Sequence, residues 1–421
     1  MKHLSIASDE FLAGSRKPSH LDRIARRAIY GRLAVMGDGG LRLVDGDDER
    51  FFGDVGSELQ ATVHVTDPRF YSDVAFGGVI GGGESYFRGY WSTDSLTNVV
   101  RIMARNRAVL DEMQGGTALL TRPLQRSFHW LNRNTRRGSK RNISAHYDLG
   151  NEFFSLWLDG RMQYSSAVFE RDDMSLDEAQ EAKLARLCAK LDLRPEDHLL
   201  EIGTGWGGLA IFAASRYGCR VTTTTISKEQ FDYASARVRE LGLQDRITLL
   251  QKDYRELDGQ YDKLVSVEML EAVGDKFHGT FFGKCSQLLR PEGLMVLQSI
   301  TIADQRFEKA RRSVDFIQRY IFPGGCLPSV TAIAAKMTAA SDLRIVNLED
   351  IGTHYATTLR RWHDRMFARL DEVKALGYSK EFVRMWQYYL CYCEGGFIER
   401  VIGNVQLIAA KPGNRSATFL P

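Results

Sequence analysis

The stretch HLLEIGTGWGG, residues 198–208, decides how the rest of the chain is read. It begins as a hydrophobic run of strand character and ends in a turn where Gly203, Gly205 and Gly208 match the spacing GxGxxG. The residues that follow, LAIFAASRYG, continue as a helix. Toward the C-terminus the rhythm repeats in CRVTTTTIS, KEQFDYASARVRELGL, ITLLQKDYRE, YDKLVSVEML and GLMVLQSITI. Strands alternating with helices predict an α/β fold with a doubly wound, Rossmann-like sheet and right-handed crossovers. A last strand-like segment, VIGNVQLIAAK (401–411), follows helical segments containing LRRWHDRMFARL and FVRMWQYYLCYCEGGF. An insertion at roughly 303–341 interrupts the units.

A GxGxxG match alone is also what an ordinary tight strand-to-helix turn looks like. In a dinucleotide enzyme an acid about 20 residues onward would hold the ribose. Here the second strand runs into Thr222-Thr223-Thr224-Thr225-Ile226-Ser227, with no acid. Glu201, just before the turn, instead suggests a carboxylate placed for a cationic amino-acid moiety, which favours S-adenosylmethionine over NAD. Gly203, Gly205 and Gly207 then permit close backbone approach, and Thr225 and Gln230 supply neutral hydrogen-bonding groups where the acid is missing. Asp253 and Tyr254, after the third strand, are candidates to meet the adenine by a hydrogen bond and a ring contact.

Toward the N-terminus, Ser19 and Asp22 form a capping-box pattern, and Leu21, Ile24, Ala25, Ala28 and Ile29 repeat at helical spacing among Arg23, Arg26 and Arg27. This predicts a basic amphipathic helix, suited either to its own core or to an anionic membrane surface. Residues from about 41 to 91 alternate apolar and polar positions and are broken by glycine clusters such as GGVIGGGES, as short strands joined by turns would be. Ser95 caps a further helix whose stripe is Leu96, Val99, Val100 and Met103. Residues 1–125 therefore read as a small α+β domain for lipid binding or assembly, and 126–145 as a basic linker. Residues 146–421 read as the catalytic domain, with helical lid insertions. The linker places Arg126, Arg133, Arg136, Arg137, Lys140 and Arg141 in one acid-free stretch, a match for phosphate or a solvated connection.

The chain has 421 residues, 44% hydrophobic and 26% charged, with a net charge of +3, too small to imply nucleic acid as a partner. No run reaches the roughly 18 apolar residues of a membrane span, and the first residues lack the pattern of a signal peptide, so a cytoplasmic protein is expected. The six cysteines show no CxxC or His/Cys cluster, which predicts free thiols and no metal.

Several segments together resemble the cyclopropane-fatty-acyl-phospholipid synthases and their mycolic-acid-modifying relatives. They are HYDLGNEFFSLWLDGRMQYSSAVF (146–169), LLEIGTGWGGLAIFAA, TTISKEQ, VSVEMLEAVG, YIFPGGCLPSV, HYATTLRRWHDR and YYLCYCEGGF, in consistent order over about 140–410. The resemblance implies a class I S-adenosylmethionine-dependent methyltransferase that transfers a methyl group to the cis double bond of a phospholipid acyl chain. Deprotonation then closes a cyclopropane ring. It further implies a homodimer, peripheral attachment to the inner face of the membrane, and a bicarbonate ion acting as base. Of the ligands the family uses for that ion, Glu271, Tyr355 and the Ile300 backbone are kept. Ser166 stands where the family has cysteine, Gln298 where it has histidine, and Ala272 where a histidine follows the glutamate. Glu268 occupies a position that is commonly glycine in bacterial members, so its carboxylate is expected to replace bicarbonate. The EMxEAVG pattern is similar to the plant-type branch and to actinobacterial methyl-branching enzymes, which leaves methyl- or methylene-branched or furan-precursor chains as an alternative product. A lipid-binding protein without catalysis is the other alternative. Tyr164 and Ser165 match a pair that lies against the cofactor, and Cys393 matches a cysteine once assigned to catalysis, although a buried small hydrophobe also suits it.

Overall fold

A computed structural model describes residues 17–107 and 150–415. It divides into two compact units.

The first unit opens with α1 (His20–Leu33), started by the Ser19–Asp22 capping box. Its buried face is Asp22, Ala25, Ile29 and Leu33, while Leu21, Ile24 and Ala28 of the expected apolar stripe lie exposed. Arg26 is not simply a solvent residue: it pairs with Asp45 and Asp48 and lies over the rings of Tyr30 and Tyr71. Strands β1 (Gly40–Asp45), β2 (Asp48–Gly53), β3 (Gln60–Val65) and β4 (Trp91–Thr93) form a sheet of order β2-β1-β3-β4. The strands expected between 66 and 90 are absent. That segment is α2 (Arg69–Phe87), kinked at Gly78 with φ 57°. The glycines that read as turn breakers allow close packing instead: a Cβ on Gly81 would fall 1.9 Å from the carbonyl oxygen of Asp73.

Helix α3 (Leu96–Arg105), capped by Ser95, buries Leu96 and Ile102 and leaves Val99, Val100 and Met103 half-buried. Residues 314–319 and 370–401 also belong to this unit, so the range expected to be one catalytic domain, 146–421, is not a single compact body. The reason lies in helix Lys380–Ile398. Tyr86 donates to Gln387 (2.7 Å), Thr97 to Glu394 (2.7 Å), and the buried Arg384 to the carbonyls of Tyr86 and Trp91. These buried polar pairs hold the helix to the N-terminal elements, and separating them would cost each group its partner.

The second unit is built on a seven-stranded sheet of order β10-β11-β9-β8-β5-β6-β7. Its strands are β5 (His198–Ile202), β6 (Arg220–Thr224), β7 (Ile247–Leu250), β8 (Tyr261–Val267), β9 (Leu289–Ile302), β10 (Arg344–Asp350) and β11 (Ile402–Ala410). The five strands read from the α/β rhythm, β5 to β9, are all parallel. The last segment, β11, slots antiparallel beside β9. Strand β10, which no alternation announced, is the exposed edge beyond it. Apolar layers cover both faces, one around Leu184, Leu187 and Phe212, the other around Phe281, Phe282 and Met337. The glycine turn, Thr225, Asp253 and Glu268 all follow the C-terminal ends of parallel strands, where open α/β sheets bind ligands. Among the described residues no helix is long and apolar enough to cross a membrane.

The packing of α2 has a direct test. Gly81→Ala is expected to destabilise by about 2–4 kcal/mol in denaturant unfolding, because backbone must move. Gly82→Ala, with nothing within 4 Å of the added carbon, should be neutral or stabilising by up to about 1 kcal/mol.

Candidate active site

Strand β8 ends at Val267, opposite Gln298 of β9. The next residue, Glu268, has φ 49°, a left-handed conformation that costs a non-glycine residue about 1–2 kcal/mol. The turn delivers its carboxylate to four donors. Oε1 accepts from the Ser166 backbone N–H (3.0 Å), Gln298 Nε2 (2.8 Å) and Asn404 Nδ2 (2.6 Å), and Oε2 accepts from the Tyr355 hydroxyl (2.8 Å). Four sequence-distant elements thus converge on one side chain. Ser166 contributes through its main chain; its hydroxyl donates to the Ala167 carbonyl.

Glu271, on the short helix Leu270–Val273, accepts from the Ser299 hydroxyl (2.9 Å) and from the Ile300 backbone N–H. Burial, followed by the nearby Glu268, pushes its pKa up to about 8. The donors that the resemblance assigns to bicarbonate are therefore taken: Ser166, Gln298 and Tyr355 by Glu268, the Ile300 N–H by Glu271. The residues present do not fit bicarbonate as a resident ion.

The predicted cofactor residues fall into three groups. Gly203, Gly205 and Gly207 all have positive φ, and the space above Gly205 is open. Thr225 and Gln230, both buried, hydrogen-bond each other, the threonine hydroxyl donating at 2.9 Å. Glu201 is buried, accepts from the Thr223 hydroxyl (2.6 Å), and is pushed up to about 8 by burial. A buried carboxyl with a single hydrogen-bond donor fits the ammonium of S-adenosylmethionine, which would compensate its charge. Asp253 and Tyr254 are differently engaged. Asp253 makes a bidentate pair with Arg255, and the Tyr254 ring packs edge-on against Phe281 in the core, so neither is presented as an open group for adenine.

Tyr164 and Ser165 reach the glycine turn through packing. A Cβ on Gly208 would lie 2.2 Å from Gln163 Nε2, so the segment before Tyr164 rests on the turn. Lys183, fully buried, donates to Gln163 Oε1 (2.7 Å) and Ser165 Oγ (2.9 Å). Desolvation lowers its pKa to about 8 against the opposing pull of Glu268, Asp159 and Glu201. Tyr164 joins Phe154, Trp157 and Trp362 in an aromatic group that reaches Trp206 of the turn at one end and Tyr355 at the other. Cys393 belongs to the first unit, and burial pushes its thiol pKa up, which leaves little thiolate for chemistry.

Asn404, Gln406, Lys183 and Lys190 escaped the sequence reading. For the two amides a signal existed: they alternate in the largely apolar VIGNVQLIAAK, placing polar groups on one face of a strand that is buried from Asn404 to Ala410.

Glu201 and Glu271 bind protons more tightly folded than unfolded, their pKa values rising from 4.5 to about 8. The stability they contribute is present at low pH and lost as pH rises through about 8. Binding of a cationic amino acid beside Glu201 should release a proton near pH 7, measured by calorimetry in buffers of different ionisation enthalpy. Glu201→Gln should abolish that release and weaken binding; unchanged proton release in the variant would remove Glu201 from the site.

Comparison with known proteins agrees with this geometry. The pattern of the family described as mycolic acid cyclopropane synthetase matches residues 134–407. The chain is 41% identical over 331 residues to tuberculostearic acid methyltransferase UfaA1 of Mycobacterium tuberculosis, covering 76% of each chain. It is 37% identical over 365 residues to the cyclopropane-fatty-acyl-phospholipid synthase of Escherichia coli K12, covering 85% of this chain and 90% of that one. Mycolic acid cyclopropane synthase CmaA1, solved with SAH and CTAB, superposes with a TM-score of 0.60 at 32% identity over 65% of this chain and 98% of its own. Cyclopropane synthase MmaA2 of Mycobacterium tuberculosis gives the same TM-score at 30% identity, with the same coverage. With its glycine turn, its Thr225–Gln230 pair and this breadth of similarity, the chain belongs to the mycolic acid cyclopropane synthetase family and is an S-adenosylmethionine-dependent methyltransferase.

Proposed function

We propose that the chain adds a one-carbon unit to the cis double bond of an unsaturated phospholipid acyl chain and closes a cyclopropane ring, with Glu268 as the base. The observation that carries this reading is the Glu268 carboxylate among four donors, on ligand positions that the resemblance gives to an external anion.

S-adenosylmethionine, held at the glycine turn with Glu201 at its ammonium, supplies an electrophilic methyl group. A carbon–carbon π bond is a weak nucleophile, so positioning and cation stabilisation must lower the barrier. The ring of Tyr355, whose hydroxyl is on Glu268, would offer quadrupole stabilisation to a carbocation on the acyl chain, with Trp362, Tyr164 and Trp157 packed behind it. Glu268 then takes a proton from the transferred methyl. That C–H electron pair forms the second C–C bond of the ring, and the proton rests on the carboxylate, where Tyr355 can accept a hydrogen bond from it. Glu271, protonated near neutral pH, adds no second negative charge to compete for the cation.

A second reading is favoured by two relatives. UfaA1 is named a tuberculostearic acid methyltransferase, and a Pseudomonas putida protein 36% identical over 381 residues is named a probable fatty acid methyltransferase. In that reading the cation loses its proton from a neighbouring chain carbon, and a branched chain results instead of a ring.

Peripheral membrane attachment forms part of the proposal. Leu21 and Ile24, each 51% exposed, sit beside the exposed Arg23 and Arg27 on α1, an arrangement suited to anionic headgroups. The basic stretch Arg126–Arg141 lies outside the described residues. Homodimer assembly and a location at the inner face of the membrane stand on the resemblance.

Glu268→Gln is expected to lower kcat about a hundredfold or more with S-adenosylmethionine affinity retained. Proton NMR of lipids from a host expressing the chain should show upfield cyclopropane signals, whereas methyl or methylene signals would establish the branched product. Binding to anionic liposomes should weaken as salt rises, and Leu21→Asp with Ile24→Asp should reduce it further; binding indifferent to both would exclude α1 as the docking face.

A further inference from the structure

Behind Glu268 and its donor Gln298 the structure holds two further buried polar side chains, Gln406 and Lys190, that the proposed chemistry does not use. Lys190 ends helix Leu176–Lys190, with its side chain only 1% exposed. Its ammonium donates to Glu349 Oε2 (2.5 Å) and to Gln406 Oε1 (2.7 Å). Gln406 Nε2 donates to Gln298 Oε1 (2.9 Å), and Gln298 Nε2 donates to Glu268 Oε1 (2.8 Å). The register of β9 and β11 makes the middle step possible, since Gln298 and Gln406 face each other directly across the two strands.

We propose that Lys190 is a positioning residue: acting through the amides of Gln406 and Gln298, it dictates that a donor, not an acceptor, is presented to Glu268. An amide has two ends of nearly the same shape, one donating and one accepting. Taken alone, the Gln406–Gln298 pair could hydrogen-bond equally well with both amides reversed. That arrangement would aim the Gln298 carbonyl at Glu268 and at the Ser166 carbonyl, which Nε2 now faces at 3.4 Å. An ammonium only donates, so it accepts one of the two arrangements. Gln406 must turn its carbonyl to Lys190, its NH2 then faces Gln298, and the NH2 of Gln298 faces Glu268. Both glutamines are completely buried, so water cannot repair a reversed amide.

This inference rests on the reading of Glu268 as the base. The groups that bear on Glu268 are Tyr355, Glu271 and Lys183; those around Lys190 are Glu349 and Arg186, with His354 near the same glutamate. None of these lies within the two-amide link, so Gln406→Glu leaves all of them in place and adds one carboxylate beside Lys190.

Gln406→Glu is the decisive variant. It keeps the size of the side chain and gives Lys190 a carboxylate, so a merely structural role predicts equal or greater stability and wild-type catalysis. The relay predicts a loss, because a carboxylate at 406 can only accept, drawing the Gln298 NH2 away from Glu268. We expect kcat to fall about tenfold or more, the acid limb of its pH profile to move to higher pH, and KM for S-adenosylmethionine to stay within about twofold. Lys190→Met should act in the same direction. Glu349→Gln, which removes the outer ion pair but leaves Lys190 on Gln406, should lower Tm without altering kcat or the pH profile.

The orientation itself is read from the Gln298 side-chain amide resonance in nitrogen-15 NMR, assigned by its loss in Gln298→Glu. It should shift in both Gln406→Glu and Glu268→Gln. Wild-type kcat and an unmoved resonance in Gln406→Glu would overturn the relay, as would a pH profile that Glu349→Gln displaces equally. A resonance that moves as expected, together with full turnover in Glu268→Gln, would keep the relay and overturn Glu268 as the base.

Discussion

Glu268 is only partly buried, yet its carboxylate finds four hydrogen bonds in protein, and the second unit is arranged around that meeting point. A hydrogen bond to a charged group contributes about 1.5–3 kcal/mol, so the set is worth more than most single contacts in a domain. The donors come from the segment at Ser166, from β9, from β11 and from helix Gly352–Ala368. Each must be in place for the others to be useful. The left-handed backbone at Glu268 belongs to the same constraint, because an extended continuation of β8 would not deliver the side chain to that meeting point.

The sheet order explains why a site of this kind can exist at the strand ends. Inserting β11 antiparallel between β9 and β10 places a C-terminal strand beside the strand that carries Gln298. Two adjacent strands with amides on facing positions form a buried polar layer where the usual α/β interior would be aliphatic. Within that layer Gln298 and Gln406 are paired in one consistent sense, which is where Lys190 enters.

The two glutamates differ in environment although only three residues apart. Glu268 has four donors; Glu271 has two and lies buried beside a like charge, so it holds its proton near neutral pH. The difference lies in the number of donors each carboxyl meets and in how deeply each is buried. Lys183 and the buried Glu201 extend the same electrostatic set toward the glycine turn.

The amino-acid sequence by itself determined the α/β sheet and the glycine turn, and the family resemblance carried by its motifs put forward Glu268, Glu271, Tyr355, Gln298 and Ile300 together. Those features rest on local patterns or on motifs read in order, and local hydrophobic periodicity survives folding wherever a strand or helix is half-buried. It did not disclose that GGVIGGGES is helical, because glycine reads as a breaker until a neighbour is seen to need its missing side chain. Nor did it disclose that residues 370–401 pack with the N-terminal unit, since an amphipathic helix states that it has a partner without naming it. Strand β10 was silent because an exposed edge has no alternation to show. Asn404, Gln406 and Lys190 became parts of the site only through tertiary structure. Their roles depend on which atom faces which across two strands and a helix, and register at that level is decided by the assembled sheet.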